Sequence, residues 1–228
     1  MYTVKFYKGE YIERQKQANS DHCAAYVEQH FNSSDSPAGY SLVVTGANAS
    51  AISKNWGRWY AGAVSREFNI PLGGEQGILV GGYNGRGDGN LRHTNMPAIL
   101  LEPLFASNPL HADWIRSESG QTKSARILCE SIQRFFQNGG LIGFSVGHKY
   151  KPSKPNDKGA VVFGGGWEAD YAEVVLAKAK HMLESITSPQ ENREIRIMKA
   201  DEVVWTTSVD SDTHVKWDPV RGILQINE

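Results

Sequence analysis

The chain has 228 residues, of which 40% are apolar and 21% charged, and its formal net charge at pH 7 is −1. This near-neutral charge argues against a general electrostatic attraction to nucleic acid or to anionic membranes. No run of about 18 apolar residues occurs, so a membrane span is not expected. The length suffices for one well-packed core, or for a catalytic domain with a small appendage.

The two cysteines, Cys23 and Cys129, are far apart in the sequence and form no CxxC pair. A disulfide framework or a cysteine-built zinc site is therefore not expected. The first residues, Met1–Lys8, lack a basic region followed by an apolar one, so no signal peptide is expected either. Imidazole and carboxylate groups remain as the available metal ligands, and the chain has seven histidines.

Strand-like and helix-like segments alternate through most of the chain. In chain order the sequence predicts a strand at Thr3–Tyr7, a helix at Glu10–His22, strands at Ala24–Gln29 and Tyr40–Thr45, a helix at Ala51–Phe68, glycine-rich loops at Gly73–Asn90, a strand at Pro97–Leu101, helices at Asn108–Ser117 and Thr122–Gln137, a strand at Leu141–Val146 and a helix at Trp167–Ile186. This alternation predicts a three-layer α/β domain with a mostly parallel central sheet flanked by helices.

The last segment of the chain has a different pattern, because apolar and polar residues alternate there as in strands. We therefore predict a catalytic domain at residues 1–190 and a small β appendage at residues 191–228. The pattern leaves open whether Thr3–Tyr7 or Glu194–Met198 fills the central strand position of the main sheet.

Ionisable side chains follow three of the predicted strands. His30 comes after Ala24–Gln29, Glu102 after Pro97–Leu101, and His148 after Leu141–Val146. In open parallel sheets the functional groups cluster beyond the carboxyl ends of the strands. The sequence therefore predicts that these three side chains share one site.

Such a set is suited to a catalytic zinc ion, which needs about three protein ligands and one open position. His148, His30 and the helix residue Glu168 can supply the ligands, and a further carboxylate, Glu102, can move a proton. Other interpretations are open for single residues. Glu168 can be a carboxylate stabilised at a helix N-terminus, and Glu102 can pair with Arg92 or Arg86.

Three blocks of sequence together resemble a known family. One block comprises Ile142–His148, Asp157–Val161 and Glu168–Ala172; a second comprises Tyr11–Asn19 and Ala25–Asn32; the third comprises Asn90–Arg92 and Met96–Asn108. They resemble, respectively, the opening, the middle and the end of the zinc-dependent N-acetylmuramoyl-L-alanine amidases. This resemblance implies the phosphorylase/hydrolase-like version of the α/β fold. The block that is usually first comes last here, so we predict a circular permutation, in which residues 136–140 join the ordinary ends of the domain.

The resemblance implies a role for each matching residue. His148, Glu168 and His30 would be ligands of Zn²⁺, and Glu102 would be the general base and acid. As weaker assignments, Asn32 would either support the metal ligands from behind or contact the substrate, and Arg92 would contact the substrate. The family usually has a small residue before its His-x-Asn motif, whereas Glu28 and Gln29 precede the motif here.

The implied activity is hydrolysis of the amide between N-acetylmuramic acid and L-alanine in peptidoglycan. Two alternatives remain open at the level of sequence: a zinc peptidase on the same scaffold, and a catalytically inactive wall-binding module. The expected place of action is the cell wall, reached either as a phage-type lysin made in the cytoplasm or as a secreted enzyme without its leader. The oligomeric state is not predicted.

Overall fold

A computed structural model describes residues 1–35 and 38–186, together with the backbone of four strands between residues 193 and 227. The chain divides into two units, Tyr2–Ser185 and Ile186–Glu228. Within the described residues, no helix combines the length and the apolar character that crossing a membrane requires.

The first unit is built on a six-stranded sheet, whose strand order is β1-β6-β2-β5-β3-β4. The strands are β1 (Tyr2–Phe6), β2 (Ala25–Gln29), β3 (Leu42–Thr45), β4 (Ile78–Val80), β5 (Ala98–Glu102) and β6 (Gly140–Val146). All neighbouring pairs are parallel except β3 and β5, which are antiparallel. The predicted α/β class with a mostly parallel sheet is confirmed.

Five α-helices among the described residues surround this sheet: α1 (Tyr11–Ser20), α2 (Ala51–Phe68), α3 (Pro109–Arg116), α4 (Glu118–Phe135) and α5 (Glu168–Ser185). Three of them begin at a side chain that accepts hydrogen bonds from free backbone N–H groups of the first turn. Ser50, Asn108 and Ser117 cap α2, α3 and α4 in this way. The cap at Ser117 explains why α4 begins four residues before the predicted Thr122.

The two faces of the sheet pack against different helices, because successive side chains of a strand point to opposite faces. Val44 and Leu100 are cross-strand partners and belong to the buried cluster that includes Ala18 of α1. On the opposite face, Val43 lies against α2, where a side chain at Gly57 would meet it at 3.0 Å. The sheet is therefore the middle of three layers.

Strand β1 lies at the edge of the sheet, beside β6, and not at its centre. Its buried residues alternate with exposed ones, whereas every residue of β2 and β3 is buried. The outward backbone groups of Val4 are used by α5: its N–H donates to Glu184 at 2.9 Å, and its carbonyl accepts from Lys180 at 2.8 Å. Side chains of a helix thus cover the edge.

The described strands of the second unit form two antiparallel pairs. Strand β7 (Arg193–Lys199) pairs with β8 (Glu202–Val209), and β9 (His214–Asp218) pairs with β10 (Ile223–Asn227). Neither of the two segments proposed for the central strand is central: Thr3–Tyr7 overlaps the edge strand β1, and Glu194–Met198 lies in β7, whose partner is β8. The central positions are held by continuously buried strands.

His111 of α3 is a buried structural histidine, whose Nδ1 accepts a hydrogen bond from the N–H of Phe105 at 3.0 Å. Burial lowers its pKa from 6.5 to about 4, so the folded chain holds the neutral imidazole. This stabilisation is present above pH 6.5 and is lost as the pH falls toward 4, because only the unfolded chain then takes up the proton. The loss is about 3 kcal/mol at most.

We expect H111N to unfold with a shallower dependence on pH between 6.5 and 4 than the wild type. Urea denaturation at a series of pH values measures this slope. The matched control is H181N, which changes an exposed histidine of α5. Equal slopes for the wild type and H111N would contradict the assignment.

Candidate metal centre

Three neighbouring strands bring their final side chains to one edge of the sheet. Strand β2 is parallel both to β6 and to β5, so their carboxyl ends are aligned. His30 follows β2, His148 follows β6, and Glu102 ends β5. Adjacent parallel strands thus deliver two imidazoles and a carboxylate to the same place, as the strand-end pattern predicts.

Glu168 reaches this edge from the first residue of α5. Its N–H donates to the carbonyl of Ala160 at 2.9 Å, and this bond ties the start of the helix to the preceding loop. Its side chain is buried beside both imidazoles. Two glycines give the space for this approach: a side chain at Gly147 would meet the His30 ring at 2.2 Å, and one at Gly159 would meet the Glu168 carboxylate at 2.3 Å.

His30, His148 and Glu168 form a group that could hold a metal ion, because one ligand atom from each lies within 4.8 Å of the others. Glu168 Oε1 is 3.5 Å from His30 Nδ1 and 2.7 Å from His148 Nε2. Two ligands of a tetrahedral zinc ion lie roughly 3.4 Å apart. The spacing therefore suits such an ion after a small adjustment of His148.

Glu168 Oε1 is buried and has no partner with hydrogen-bond geometry, although two nitrogens are close to it. A buried oxygen without a hydrogen bond is costly in an ordinary core. Two imidazoles and one carboxylate are also a ligand set of catalytic zinc sites. The orphaned oxygen and the type of donor both fit a divalent ion at this position.

The other nitrogen of each imidazole is held by a second carboxylate. His30 Nε2 is 2.9 Å from Glu28 Oε1, and His148 Nδ1 is 3.0 Å from Asp157 Oδ1. Asp157 also accepts from the Lys151 ammonium at 2.6 Å. The atoms left to face Glu168 are consequently His30 Nδ1 and His148 Nε2.

These contacts shift the pKa values of the buried groups. Burial alone would lower the pKa of His30, but the carboxylates of Glu168 and Glu28 outweigh it and raise that pKa. Burial would likewise raise the pKa of Glu168, whereas the two imidazoles beside it lower the value. The site therefore favours an ionised Glu168 carboxylate beside a positively charged group.

Arg14 of α1 is fully buried and holds the chain on both sides of His148. Its guanidinium donates to the carbonyl of Val146 at 2.7 Å and to the carbonyl of Lys149. It also donates to the Ser145 hydroxyl at 2.7 Å. Because His148 adopts a positive φ of 61°, which is unfavourable for a non-glycine residue, this anchoring helps to keep the imidazole in place.

Glu102 lies beside the metal-ligand group, and its Oε2 is buried without a hydrogen bond. Burial raises its pKa to about 7, a rise that the charges of Glu168 and Glu28 increase and the two imidazoles oppose. Among the described residues Glu102 forms no ion pair with Arg86 or Arg92, so the alternative pairing is not realised.

An open cleft of about 760 Å³ lies over these groups. His30, His148, Glu168, Glu102 and Asn32 all line it, and the amide of Asn32 donates to the hydroxyl of Tyr83 at 2.8 Å. The structure does not bring Arg92 into the cleft lining; Arg92 lies 3.4 Å from Asp88 instead.

Sequence reasoning missed several residues of this cleft. Tyr83 and Arg86 reach it from a tight turn in which each donates a backbone N–H to the other's carbonyl at 3.0 Å. Their loop has no regular period, so only its density of glycines marked it as a surface near a cleft. Glu28 was noticed only as a departure from a family pattern, although it lies two positions before His30 on the same face of β2.

Comparison with known proteins gives the family. The model of the N-acetylmuramoyl-L-alanine amidase family matches residues 5–134, more than half of the chain. The chain belongs to the N-acetylmuramoyl-L-alanine amidase family. The predicted family is confirmed, and it is a family of peptidoglycan amidases. The matched segment contains His30 and Glu102 and ends before His148 and Glu168.

Solved structures of amidases are similar to part of this family member. The catalytic domain of CwlV, an N-acetylmuramoyl-L-alanine amidase from Bacillus (Paenibacillus) polymyxa var. colistinus, has 25% identity and a TM-score of 0.47; the match covers 56% of this chain and 66% of that one. The N-acetylmuramoyl-L-alanine amidase from Clostridium difficile 630 has 20% identity and a TM-score of 0.48, and the match covers 57% of this chain and 67% of that one. The amidase Ami1 from Mycobacterium smegmatis has 23% identity and a TM-score of 0.45, and the match covers 56% of this chain and 60% of that one. No curated protein sequence matches the chain significantly.

We expect the protein to bind about one zinc ion per chain, and H30A, H148A and E168Q each to lose most of it, because three ligands are the minimum for such a site. Metal analysis after dialysis against trace zinc measures the content. The control is H93A, which removes an exposed histidine outside the group. Full zinc content in any of the three ligand variants would show that its residue is not a ligand.

Proposed function

We propose that the chain is a zinc-dependent amidase that hydrolyses the amide between the lactyl group of N-acetylmuramic acid and L-alanine in peptidoglycan. Family membership supports the reaction class. The observation on which the proposal depends is that His30, His148 and Glu168, from widely separated parts of the sequence, converge within 4.8 Å at the floor of a cleft.

Zinc is the proposed ion, with His30, His148 and Glu168 as its ligands. A bound zinc ion supplies Lewis acidity, which polarises a scissile carbonyl and lowers the pKa of water toward neutrality. Two neutral imidazoles and a single carboxylate leave net positive charge at such a centre, and this charge favours the reaction. The cleft above leaves one side open for the substrate.

Glu102 is proposed as the group that moves the proton. It is a buried carboxylate beside the ligands, and it has an oxygen that no neighbour occupies. It takes a proton from the attacking water while the water oxygen bonds to the carbonyl carbon. It then returns the proton to the alanine nitrogen as the carbon–nitrogen bond breaks. The products are a free lactyl carboxylate and the free amino group of L-alanine.

Asn32 is proposed as a substrate contact on the cleft wall. Its amide group faces the cleft beside Tyr83, so it can exchange the phenol for a substrate carbonyl. Arg92 has weaker support in this role because it lies beside Asp88 outside the cleft lining. The assignment of catalysis to residues 1–190 remains a prediction, as does that of a separate appendage at 191–228.

We expect E102Q and E102A to lose at least about 100-fold in turnover, because positioned acid–base catalysis contributes about 10²–10⁴-fold. Zinc content should stay at the wild-type value. The assay digests purified peptidoglycan and identifies the new amino termini, with E75Q, a change at an exposed glutamate, as the control.

Loss of zinc from E102Q would mean that Glu102 is a ligand. New amino groups on residues other than L-alanine would favour the zinc peptidase. Binding to the wall without any product would favour the inactive wall-binding module.

We further propose that the domain is a circular permutant of the usual family order. The family match supports this because it ends at residue 134, immediately before β6 and α5 supply the two remaining ligands. The junction is the short turn after α4, in which the N–H of Gly139 donates to the carbonyl of Phe136 at 2.9 Å.

A chain that begins at residue 139, runs to residue 228 and continues through a flexible linker into residues 1–137 should fold and bind zinc like the wild type. Circular dichroism and metal analysis test this expectation, and the control is the wild-type order with the same linker appended. A permuted chain that does not fold, beside a folded control, would contradict the proposal.

A further inference from the structure

The buried carboxylate of Glu28 has no role in the reaction described above. It nevertheless lies against Nε2 of His30, the ring nitrogen that does not face Glu168. Its side chain is fully buried in β2, and strand alternation puts it on the same face as His30, two residues later. The distance from Glu28 Oε1 to His30 Nε2 is 2.9 Å.

Both oxygens of Glu28 are engaged by neighbours on different elements. Oε1 also accepts from the amide of Asn90 at 2.6 Å, and Oε2 accepts from the hydroxyl of Ser145 at 2.9 Å. Ser145 is the direct cross-strand partner of Glu28 on β6. The carboxylate therefore has little freedom to turn away from the imidazole.

Charge compensation for this buried carboxylate comes through Ser145. The hydroxyl that donates to Glu28 also accepts from the buried guanidinium of Arg14 at 2.7 Å. A positive group is thus linked to the carboxylate through a shared hydroxyl. As an acceptor, Glu28 requires a proton on His30 Nε2.

We propose that Glu28 is a positioning residue of the zinc site: it fixes the tautomer and the ring orientation of His30, so that the Nδ1 lone pair faces the ion, and it strengthens His30 as a ligand. The inference rests on the proposed zinc site. Its physical basis is general, because a carboxylate behind a ligating imidazole orients the ring and raises its basicity.

The decisive variant is E28Q, which preserves the shape of the side chain and removes its charge. We expect its zinc dissociation constant, measured by competition with a chromophoric chelator, to rise about 10–100-fold over the wild type. Turnover at saturating zinc should recover toward the wild-type value, because Glu28 does not contact the reacting atoms. In zinc-loaded E28A, nitrogen-15 spectra should show faster exchange of the His30 Nε2 proton.

The matched control is S131A. It removes the buried hydroxyl of Ser131 in α4, which accepts a hydrogen bond from the indole N–H of Trp56 in α2. Thermal unfolding of the metal-free proteins shows how far each change affects the fold. Weakened zinc binding in E28Q with unchanged binding in S131A would support the inference.

Three results would overturn the inference, and they differ in what else they affect. E28Q that binds zinc within about twofold of the wild type would refute the role of Glu28 and leave the zinc site standing. Failure of the wild type itself to bind zinc would refute the proposed function together with the inference. A spectrum in which zinc-loaded wild type carries the His30 proton on Nδ1 would refute the assigned tautomer, and with it the role of Glu28.

Discussion

Ionisable side chains that are removed from water must compensate one another's charge, and this constraint governs the carboxyl edge of the sheet. Glu28, Glu102 and Glu168 lie there with His30 and His148, and Arg14 is buried behind them. Glu28 and Glu168 find positive neighbours or hydrogen-bond donors on other elements. Among the described residues Glu102 has no ion pair and its Oε2 has no hydrogen bond, and burial raises its pKa. The fold and the site therefore depend on each other, because moving one strand would leave a buried charge without its partner.

The parallel arrangement of β6, β2 and β5 makes this concentration of charge possible. Parallel strands end at the same edge, so side chains that are far apart in the sequence become neighbours without any long loop reaching across. Other parts of the chain complete the site. Glu168 is the first residue of helix α5, and Gly147 and Gly159, in the loops, leave space for the ligands to approach closely. A site built mainly on regular elements is held more precisely than one built on loops.

Much of this arrangement follows from the sequence. The buried strands were recognisable from their apolar pattern. The residues that directly follow three of these strands are His30, Glu102 and His148. The role of β1 was not predictable, because a short alternating strand fits either an edge or a half-buried centre. Tyr83 was missed, and Arg86 was considered only as an ion-pair partner of Glu102, because an irregular turn carries no period. The contacts of Glu28 were missed because a cross-strand partner such as Ser145 depends on register, which local sequence does not fix.

The covering of Val4 by α5 has a consequence for solution behaviour. An unprotected sheet edge offers free N–H and carbonyl groups to any passing strand, which promotes aggregation. Here Glu184 and Lys180 occupy these groups at the middle of β1 and also lie 3.0 Å from each other. The helix that begins with the metal-site glutamate thus leaves, near its other end, fewer free backbone groups on β1 for another strand to pair with.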